Sequence, residues 1–204
     1  MSQSTAGLRQ ERREVKYNFD EVIDRSKNRS AKYDEREKKF GRKDVIPLWI
    51  ADMDFKTAQP IIDAVKAKAE EGIWGYTSRP ASYYEAVCGW QKRRNGWEID
   101  KSKISFSLGV VPTLSSIVEV FTEPGDKVLI QTPVYSEFYD VTEGWGREVV
   151  ESPLVETDGN WSVDFEDFEE KVKQAKIFFL CSPHNTPWNC MGERAAYQIM
   201  RDLH

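Results

Sequence analysis

Three short apolar segments of the sequence are each followed by residues that could take part in ligand binding. The first segment, residues 104–108, is followed by Gly109, Val110 and Val111. A small residue followed by free backbone N–H groups at the start of a helix forms an anion site, which suits a phosphate group. An ordinary turn between a strand and a helix has the same composition, so this stretch alone favours the turn.

The second and third segments end in an aromatic residue and in a polar turn. After residues 127–131 the chain reaches Tyr135, whose ring could stack on a flat ligand. After residues 177–181 it reaches an exposed polar turn that contains His184 and Asn185. A single aromatic residue is more often part of ordinary packing, and a single histidine on such a turn is more often a surface residue than a catalyst.

The elements that would position these residues alternate between strands and helices. Strands are predicted for residues 104–108, 127–131, 148–151 and 177–181, and helices for residues 112–122, 134–143 and 164–175. Several strands are almost continuously apolar, which is typical of a parallel or mixed sheet covered on both faces. We therefore predict an α/β domain, in which ligands bind beyond the carboxyl ends of the strands.

The amino-terminal part of the chain is predicted to be an arm followed by two helices. Residues 1–16 are polar and charged without an apolar period, which predicts a disordered extension. Residues 17–25 and 33–40 carry short charged helical patterns. Residues 60–72 and 83–94 carry longer patterns, with apolar residues on one face of each helix.

The composition is that of a globular protein and argues against several kinds of partner. The net charge of -5 argues against nucleic acid as the main partner. Cys88, Cys181 and Cys190 have no metal-ligand spacing, so we predict free thiols in a reducing compartment and no metal site. No apolar run approaches the roughly 20 residues of a membrane span, so we predict a cytoplasmic protein without a membrane partner.

The order and spacing of these features resemble the large domain of the fold-type I pyridoxal-phosphate (PLP) enzymes, the aminotransferase class I and II superfamily. Within it, the chain is most similar to the amino-terminal half of the MalY/PatB-type cystathionine β-lyases, from about residue 17 to residue 185. The strings that carry this resemblance are A-D-M-D-F at residues 51–55, G-Y at 75–76, G-V-V-P at 109–112, Q-T-P-V-Y at 131–135 and S-P-H-N at 182–185.

The resemblance implies roles for particular residues toward the cofactor PLP. Val110 and Val111 would offer backbone N–H groups to its phosphate. Tyr135 would stack on its ring, and Asn185 would donate a hydrogen bond to its ring hydroxyl oxygen. Tyr76 would reach the phosphate bound by a neighbouring subunit, which implies a homodimer.

The resemblance also implies a substrate and a reaction. Asp52, Met53 and Asp54 would lie near the carboxylate of a small sulfur-containing amino acid. The implied enzyme is a carbon–sulfur β-lyase that converts cystathionine or a cysteine S-conjugate into a thiol, pyruvate and ammonia. The alternatives are an aminotransferase on the same fold, or a non-catalytic truncated protein that acts through protein contacts.

The lysine that anchors PLP in this family has no counterpart in the sequence. The resemblance places that lysine after Asn185, whereas the last lysine of the chain is Lys176. We therefore assign no catalytic residue and expect this chain to be inactive by itself.

The expected organisation is an incomplete three-layer α/β/α sheet with an amino-terminal helical arm. Its parts are a disordered extension at residues 1–16, an arm with a segment of the small domain at 17–59, a partial PLP-binding large domain at 60–185 and a divergent tail at 186–204.

The tail departs from the family pattern in a way that a shifted reading frame explains. Trp188 has the codon TGG and the codon of Asn189 begins with AA, so the shifted triplet GGA encodes glycine. Met191 is ATG and the codon of Gly192 begins with GG, so the shifted triplet TGG encodes tryptophan. Both match family positions, and we hypothesise a frameshift after Asn185.

A natural divergent helix is the alternative explanation of the tail. The coding DNA distinguishes the two, since only a frameshift leaves D-E-[IV]-H and Ser-Lys strings in a shifted frame.

Overall fold

The computed structural model of the chain describes residues 17–25, 28–185, 198, 199, 201 and 203. The chain divides into two compact units, Met1–Ser78 and Arg79–His204. The predicted extension at residues 1–16 and most of the tail at residues 186–204 lie outside the described residues. The predicted domain boundaries stay predictions.

The first unit contains helices α1, α2 and α3, which span Ala31–Asp34, Arg36–Phe40 and Gln59–Glu70. Helix α2 ends at Gly41, whose left-handed conformation (φ 71°) has no steric cost for glycine. Helix α3 confirms the helix predicted for residues 60–72. The helical pattern at residues 17–25 was a wrong prediction. Most side chains there are exposed, so no packed face stabilises a short helix.

The second unit begins with helix α4, which spans Ala81–Asn95 and confirms the helix predicted for residues 83–94. It ends at Gly96, again in the left-handed conformation (φ 65°). The strand predicted for residues 104–108 is wrong. This segment pairs with no described strand and most of its residues are exposed, so no neighbouring strand supplies the ladder of hydrogen bonds that would make it a strand.

Three parallel strands form the sheet of the second unit. Strands β1, β2 and β5 span Lys127–Ile130, Glu148–Glu151 and Ile177–Phe179, and their order is β2-β1-β5. Leu129 of the central strand β1 lies opposite both Val150 and Phe178. The strands predicted for these three segments are therefore confirmed, and so is the parallel sheet.

Helices cover both faces of this sheet. Helices α5 and α6 span Val110–Phe121 and Glu137–Glu143 and pack on the face to which Val128 and Ile130 point. Helix α7 spans Phe165–Val172 and packs on the opposite face against Leu129, together with Ile199 of the tail. Three of the four β1 side chains, Val128, Leu129 and Ile130, are fully buried. The predicted three-layer α/β/α arrangement is therefore confirmed.

A hairpin that the sequence analysis did not predict lies between β2 and α7. Its antiparallel strands β3 and β4 span Leu154–Thr157 and Asn160–Val163. Asp158 and Gly159 connect them, and both have positive φ (51° and 78°). An Asp-Gly pair between alternating apolar residues is the signal of such a two-residue turn, so the sequence carried the information.

Candidate functional site

The amino terminus of helix α5 presents backbone N–H groups with no described acceptor. Gly109 precedes the helix in an extended conformation (φ 162°, ψ 177°), and no side chain caps the helix. The N–H of Thr113 is bonded to the Gly109 carbonyl, whereas no described residue accepts a hydrogen bond from Val110 or Val111. The positive end of the helix dipole adds to these two donors. The start of α5 is therefore suited to an anion such as a phosphate.

The turn after strand β1 presents a partly exposed aromatic ring. Tyr135 is 41% exposed, and its ring meets Phe138 edge-to-face at 6.5 Å between centroids. Phe138 is buried and packs in turn on Phe179 of strand β5. The core thus holds one side of the Tyr135 ring in place and leaves part of the ring open to a ligand.

A second phenol nearby is not a candidate acid or base. Burial, together with a 2.8 Å hydrogen bond to Glu151, raises the pKa of Tyr139 to about 12. The Tyr139 hydroxyl therefore stays protonated at neutral pH and acts as a hydrogen-bond donor between helix α6 and strand β2.

Hydrogen bonds hold the turn after strand β5, which contains Asn185. The Asn185 N–H donates a hydrogen bond to the Cys181 sulfur at 3.3 Å. His184 is only 5% exposed, and its Nε2 lies 3.1 Å from the backbone carbonyl oxygen of Gln131. The expectation that His184 is a surface residue was wrong, because the ring folds back over the end of β1 to reach this carbonyl. Burial lowers the pKa of His184, so the ring is neutral at pH 7.

Gln131 is a residue of this site that the sequence analysis missed. Its side chain is 2% exposed, and neither amide atom has a hydrogen-bond partner among the described residues. Buried amides are almost always paired, so this one is unusual. Gln131 lies in the Q-T-P-V-Y string, but no local pattern predicts its contact with His184, which is 53 residues away in sequence.

The three turns lie at one edge of the sheet. Strands β1 and β5 are parallel neighbours, so the turns after them, with Tyr135 and Asn185, lie side by side. Helix α5 ends at Phe121, a few residues before β1 begins at Lys127, so the carboxyl end of α5 lies near the start of β1. The amino end of α5 therefore lies near the carboxyl ends of the strands. Val111 accordingly packs in the same apolar cluster as Val134 and Cys181, which follow the two strands. The arrangement fits a ligand with one phosphate and one flat ring.

In the first unit, Asp52 and Asp54 are paired with cations. Arg25 donates hydrogen bonds to Asp52 (2.8 Å) and Asp54 (2.7 Å), and the buried Lys32 reaches Asp54 at 3.0 Å. The hydrogen bond from Arg25 is the main cause that lowers the pKa of Asp54 to about 2. Met53, between the two aspartates, is exposed. The predicted place of these three residues near a substrate carboxylate stays a prediction, and the cation pairs give Asp52 and Asp54 a structural role of their own.

Replacing Arg25 with glutamine is expected to raise the pKa of Asp54 from about 2 toward 3.8, because the strongest hydrogen bond to the carboxylate is lost. The folded-state pKa of Asp54 lies below its ordinary value. The pairing therefore stabilises the fold above about pH 3.8 and ceases to do so as the pH falls through about 2. A carbon-13 NMR titration of the carboxyl groups measures this shift. Arg42→Gln is the control, since Arg42 pairs with Asp44; an equal Asp54 pKa in all three proteins would contradict the pairing.

The remaining predicted site residue, Tyr76, is fully exposed within the first unit. Among the described residues there is no cluster of histidine, cysteine, aspartate or glutamate that could hold a metal ion. In the same part of the chain, no helix is long and apolar enough to cross a membrane.

Comparison with known proteins gives consistent matches along most of the chain. Residues 43–186 match the family described as aminotransferase class I and II. Over 170 residues the chain is 44% identical to the cystathionine beta-lyase PatB of Bacillus subtilis (strain 168), which covers 82% of this chain and 44% of PatB. It is 30% identical over 193 residues to the protein MalY of Escherichia coli (strain K12), which covers 92% of this chain and 48% of MalY.

Solved structures of related proteins also match this chain. The crystal structure of cystalysin from Treponema denticola, which contains a pyridoxal 5'-phosphate cofactor, matches with a TM-score of 0.85 at 33% identity. That match covers 93% of this chain and 49% of cystalysin. The chain thus spans about half the length of the relatives that it matches.

Proposed function

This chain belongs to the aminotransferase class I and II family, and we propose that it forms the amino-terminal half of a PLP-dependent carbon–sulfur β-lyase. The family resemblance predicted from the sequence motifs is confirmed by the identity of 44% to PatB and 30% to MalY. The fold is that of the fold-type I PLP enzymes, and PLP is the cofactor that such structures contain.

One observation carries the assignment of the cofactor site. The free N–H groups of Val110 and Val111, the partly exposed ring of Tyr135 and the turn of Asn185 all lie at the carboxyl edge of the same parallel sheet. In the proposal, the two N–H groups bind the phosphate and the Tyr135 ring stacks on the pyridine ring. When bound, PLP supplies an electron sink for the carbanion chemistry of amino acids.

Asn185 has the role of a hydrogen-bond donor to the ring hydroxyl oxygen of the cofactor. A donor at this position favours the ionised form of that oxygen. Asn185 follows the buried His184 and donates its own N–H to Cys181, so its backbone is fixed on both sides before a ligand binds. The conformational entropy of this turn is therefore lost on folding, and PLP binding does not have to order the turn again.

The proposed substrate is a small sulfur-containing amino acid, cystathionine or a cysteine S-conjugate. In the overall reaction the bond between the β-carbon and sulfur breaks, and one water is consumed. The products are a thiol, pyruvate and ammonia. The A-D-M-D-F segment at residues 51–55 is proposed to lie near the substrate carboxylate, with Met53 as its exposed side chain.

The proposed lyase is a cytoplasmic homodimer. Tyr76 is fully exposed in the described chain, which leaves its side chain available to the cofactor phosphate of a second subunit. Cys88 and Cys181 are free thiols, as is usual in a reducing compartment. The proposed contacts of Val110, Val111, Tyr135 and Asn185 with PLP are all non-covalent, so we propose that these 204 residues bind PLP reversibly.

Titration of the 204-residue chain with PLP, followed by tryptophan fluorescence or calorimetry, tests the cofactor site. We expect PLP to bind roughly 10-fold or more tightly than pyridoxal, which lacks the phosphate, because hydrogen bonds to a charged group are the stronger kind. Borohydride treatment is expected to leave the cofactor removable by dialysis. Equal affinity for PLP and pyridoxal would refute the phosphate site, and cofactor fixed on a lysine would refute the proposed reversible binding.

The lyase activity is tested on a chimera that joins residues 1–185 to the carboxyl-terminal half of PatB. We expect pyruvate and a thiol from cystathionine without any added 2-oxo acid, and Asn185→Leu in the same chimera is the matched control with lower turnover. The main alternative is an aminotransferase, which the family name includes. A chimera that transfers the amino group to a 2-oxo acid and releases no thiol would favour that alternative.

A further inference from the structure

The turn that carries Asn185 is attached to the turn that carries Tyr135 through the side chain of His184. Nε2 of His184 lies 3.1 Å from the carbonyl oxygen of Gln131, the first residue after strand β1. Tyr135 follows four residues later, and Asn185 is the residue directly after His184. This hydrogen bond therefore connects the polypeptide on both sides of the proposed ring site.

The acceptor of this hydrogen bond determines which nitrogen of the His184 ring carries the proton. A backbone carbonyl only accepts hydrogen bonds, so Nε2 must carry the proton and donate. Nδ1 is buried and has no hydrogen-bond partner among the described residues. A second proton on Nδ1 would place an unpaired charge in a buried position, and burial accordingly lowers the pKa of His184. At neutral pH the ring is therefore a fixed donor and not an acid or a base.

We propose that His184 is a positioning residue that aims Asn185 at the ring hydroxyl oxygen of the cofactor. The inference rests on the proposed function, since it concerns the same site. Besides the hydrogen bond to Gln131, two described hydrogen bonds lie within the turn itself: the Asn185 N–H donates to the Cys181 sulfur, and the Cys181 thiol donates to the Pro183 carbonyl. Those two bonds hold the Asn185 backbone to the end of its own strand, whereas the hydrogen bond of His184 connects it directly to the turn of Tyr135.

The geometry provides a matched pair of substitutions. Glutamine carries its amide nitrogen the same number of bonds from the backbone as Nε2 of histidine, so His184→Gln keeps a donor within reach of the Gln131 carbonyl. Asparagine carries its amide nitrogen at the position of Nδ1, so His184→Asn keeps a polar amide but loses the reach. The two variants thus differ in whether the hydrogen bond forms.

The test compares the affinity of the 204-residue chain for PLP and for 3-deoxypyridoxal 5'-phosphate, which lacks the ring hydroxyl. The original chain is expected to prefer PLP by roughly 10-fold, the effect of one hydrogen bond to a charged acceptor. His184→Gln is expected to keep this preference, and His184→Asn to bind both compounds with nearly equal affinity. A purely structural role of His184 would weaken both compounds together and leave their ratio unchanged.

The outcomes separate this inference from the function on which it rests. If the original chain prefers PLP over the deoxy compound and His184→Asn does so equally well, His184 does not position Asn185, while the cofactor site stands. If the original chain binds neither compound, both ideas are overturned. If His184→Asn does not fold, His184→Gln decides, because a folded His184→Gln that has lost the preference would overturn the inference.

Discussion

Replacing Val110 with proline is expected to weaken the binding of PLP to this chain by roughly 10- to 100-fold, the effect of one lost hydrogen bond to a charged group. Proline lacks the backbone N–H that we propose binds the phosphate. The substitution suits the fold otherwise, because Val110 is the first residue of helix α5, where proline is favoured. Gly109 is extended and so avoids the α-helical conformation that is disfavoured before proline, and the Val110 side chain is 75% exposed.

Val110→Ala is the control for this experiment, since it shortens the same side chain and keeps the N–H. Its affinity for PLP is expected to stay within about 2-fold of the original, and pyridoxal, which has no phosphate, is expected to bind all three proteins alike. Calorimetric titration of the three proteins with both compounds provides the comparison. Similar PLP affinities for Val110→Pro and Val110→Ala would show that this amide does not contact the phosphate.

Replacing Phe168 with alanine is expected to lower the free energy of unfolding by about 3–5 kcal/mol, the usual cost of removing a buried aromatic ring. Phe168 is 0% exposed and lies on the face of the sheet that Leu129 occupies. Its ring meets Phe178 at 5.1 Å between centroids. Alanine would leave a cavity between helix α7 and the sheet, where Phe168 packs with Leu129 and Ile199.

Urea denaturation followed by circular dichroism measures this loss. The control is Glu169→Ala on the same helix, where the exposed carboxylate lies 3.8 Å from Lys173 and the change is expected to stay within about 0.5 kcal/mol. A Phe168→Ala protein that unfolds within about 1 kcal/mol of the original would show that helix α7 is not packed on the sheet as described.

Much of the second unit could be predicted from the sequence because its information is local. The runs at residues 127–131, 148–151 and 177–181 are rich in apolar and β-branched residues, and each became a strand. The apolar segment at residues 104–108 has a similar composition but no partner strand among the described residues. The composition of a segment indicates whether its side chains could be buried. Whether it forms a strand depends on a neighbouring strand that pairs with its backbone.

The sequence by itself determined the family and the order of the candidate cofactor residues, because motif strings and their spacing are properties of the chain alone. The sequence of Gly109 and the residues after it favoured an ordinary turn, and only the family resemblance made the start of helix α5 a candidate phosphate site. The sequence did not determine that Asp52 and Asp54 are paired with Arg25 and Lys32, since those contacts join residues 20 to 29 positions apart.

Only the tertiary structure decided the place of His184. The sequence showed a histidine on a polar turn, for which a surface position is the usual outcome. Strand β5 lies beside β1 rather than beside β2, and this order brings His184 to the Gln131 carbonyl. A hydrogen bond across 53 residues depends on the order of strands in the sheet, which no local pattern encodes, and it is this bond that joins the two sides of the proposed cofactor site.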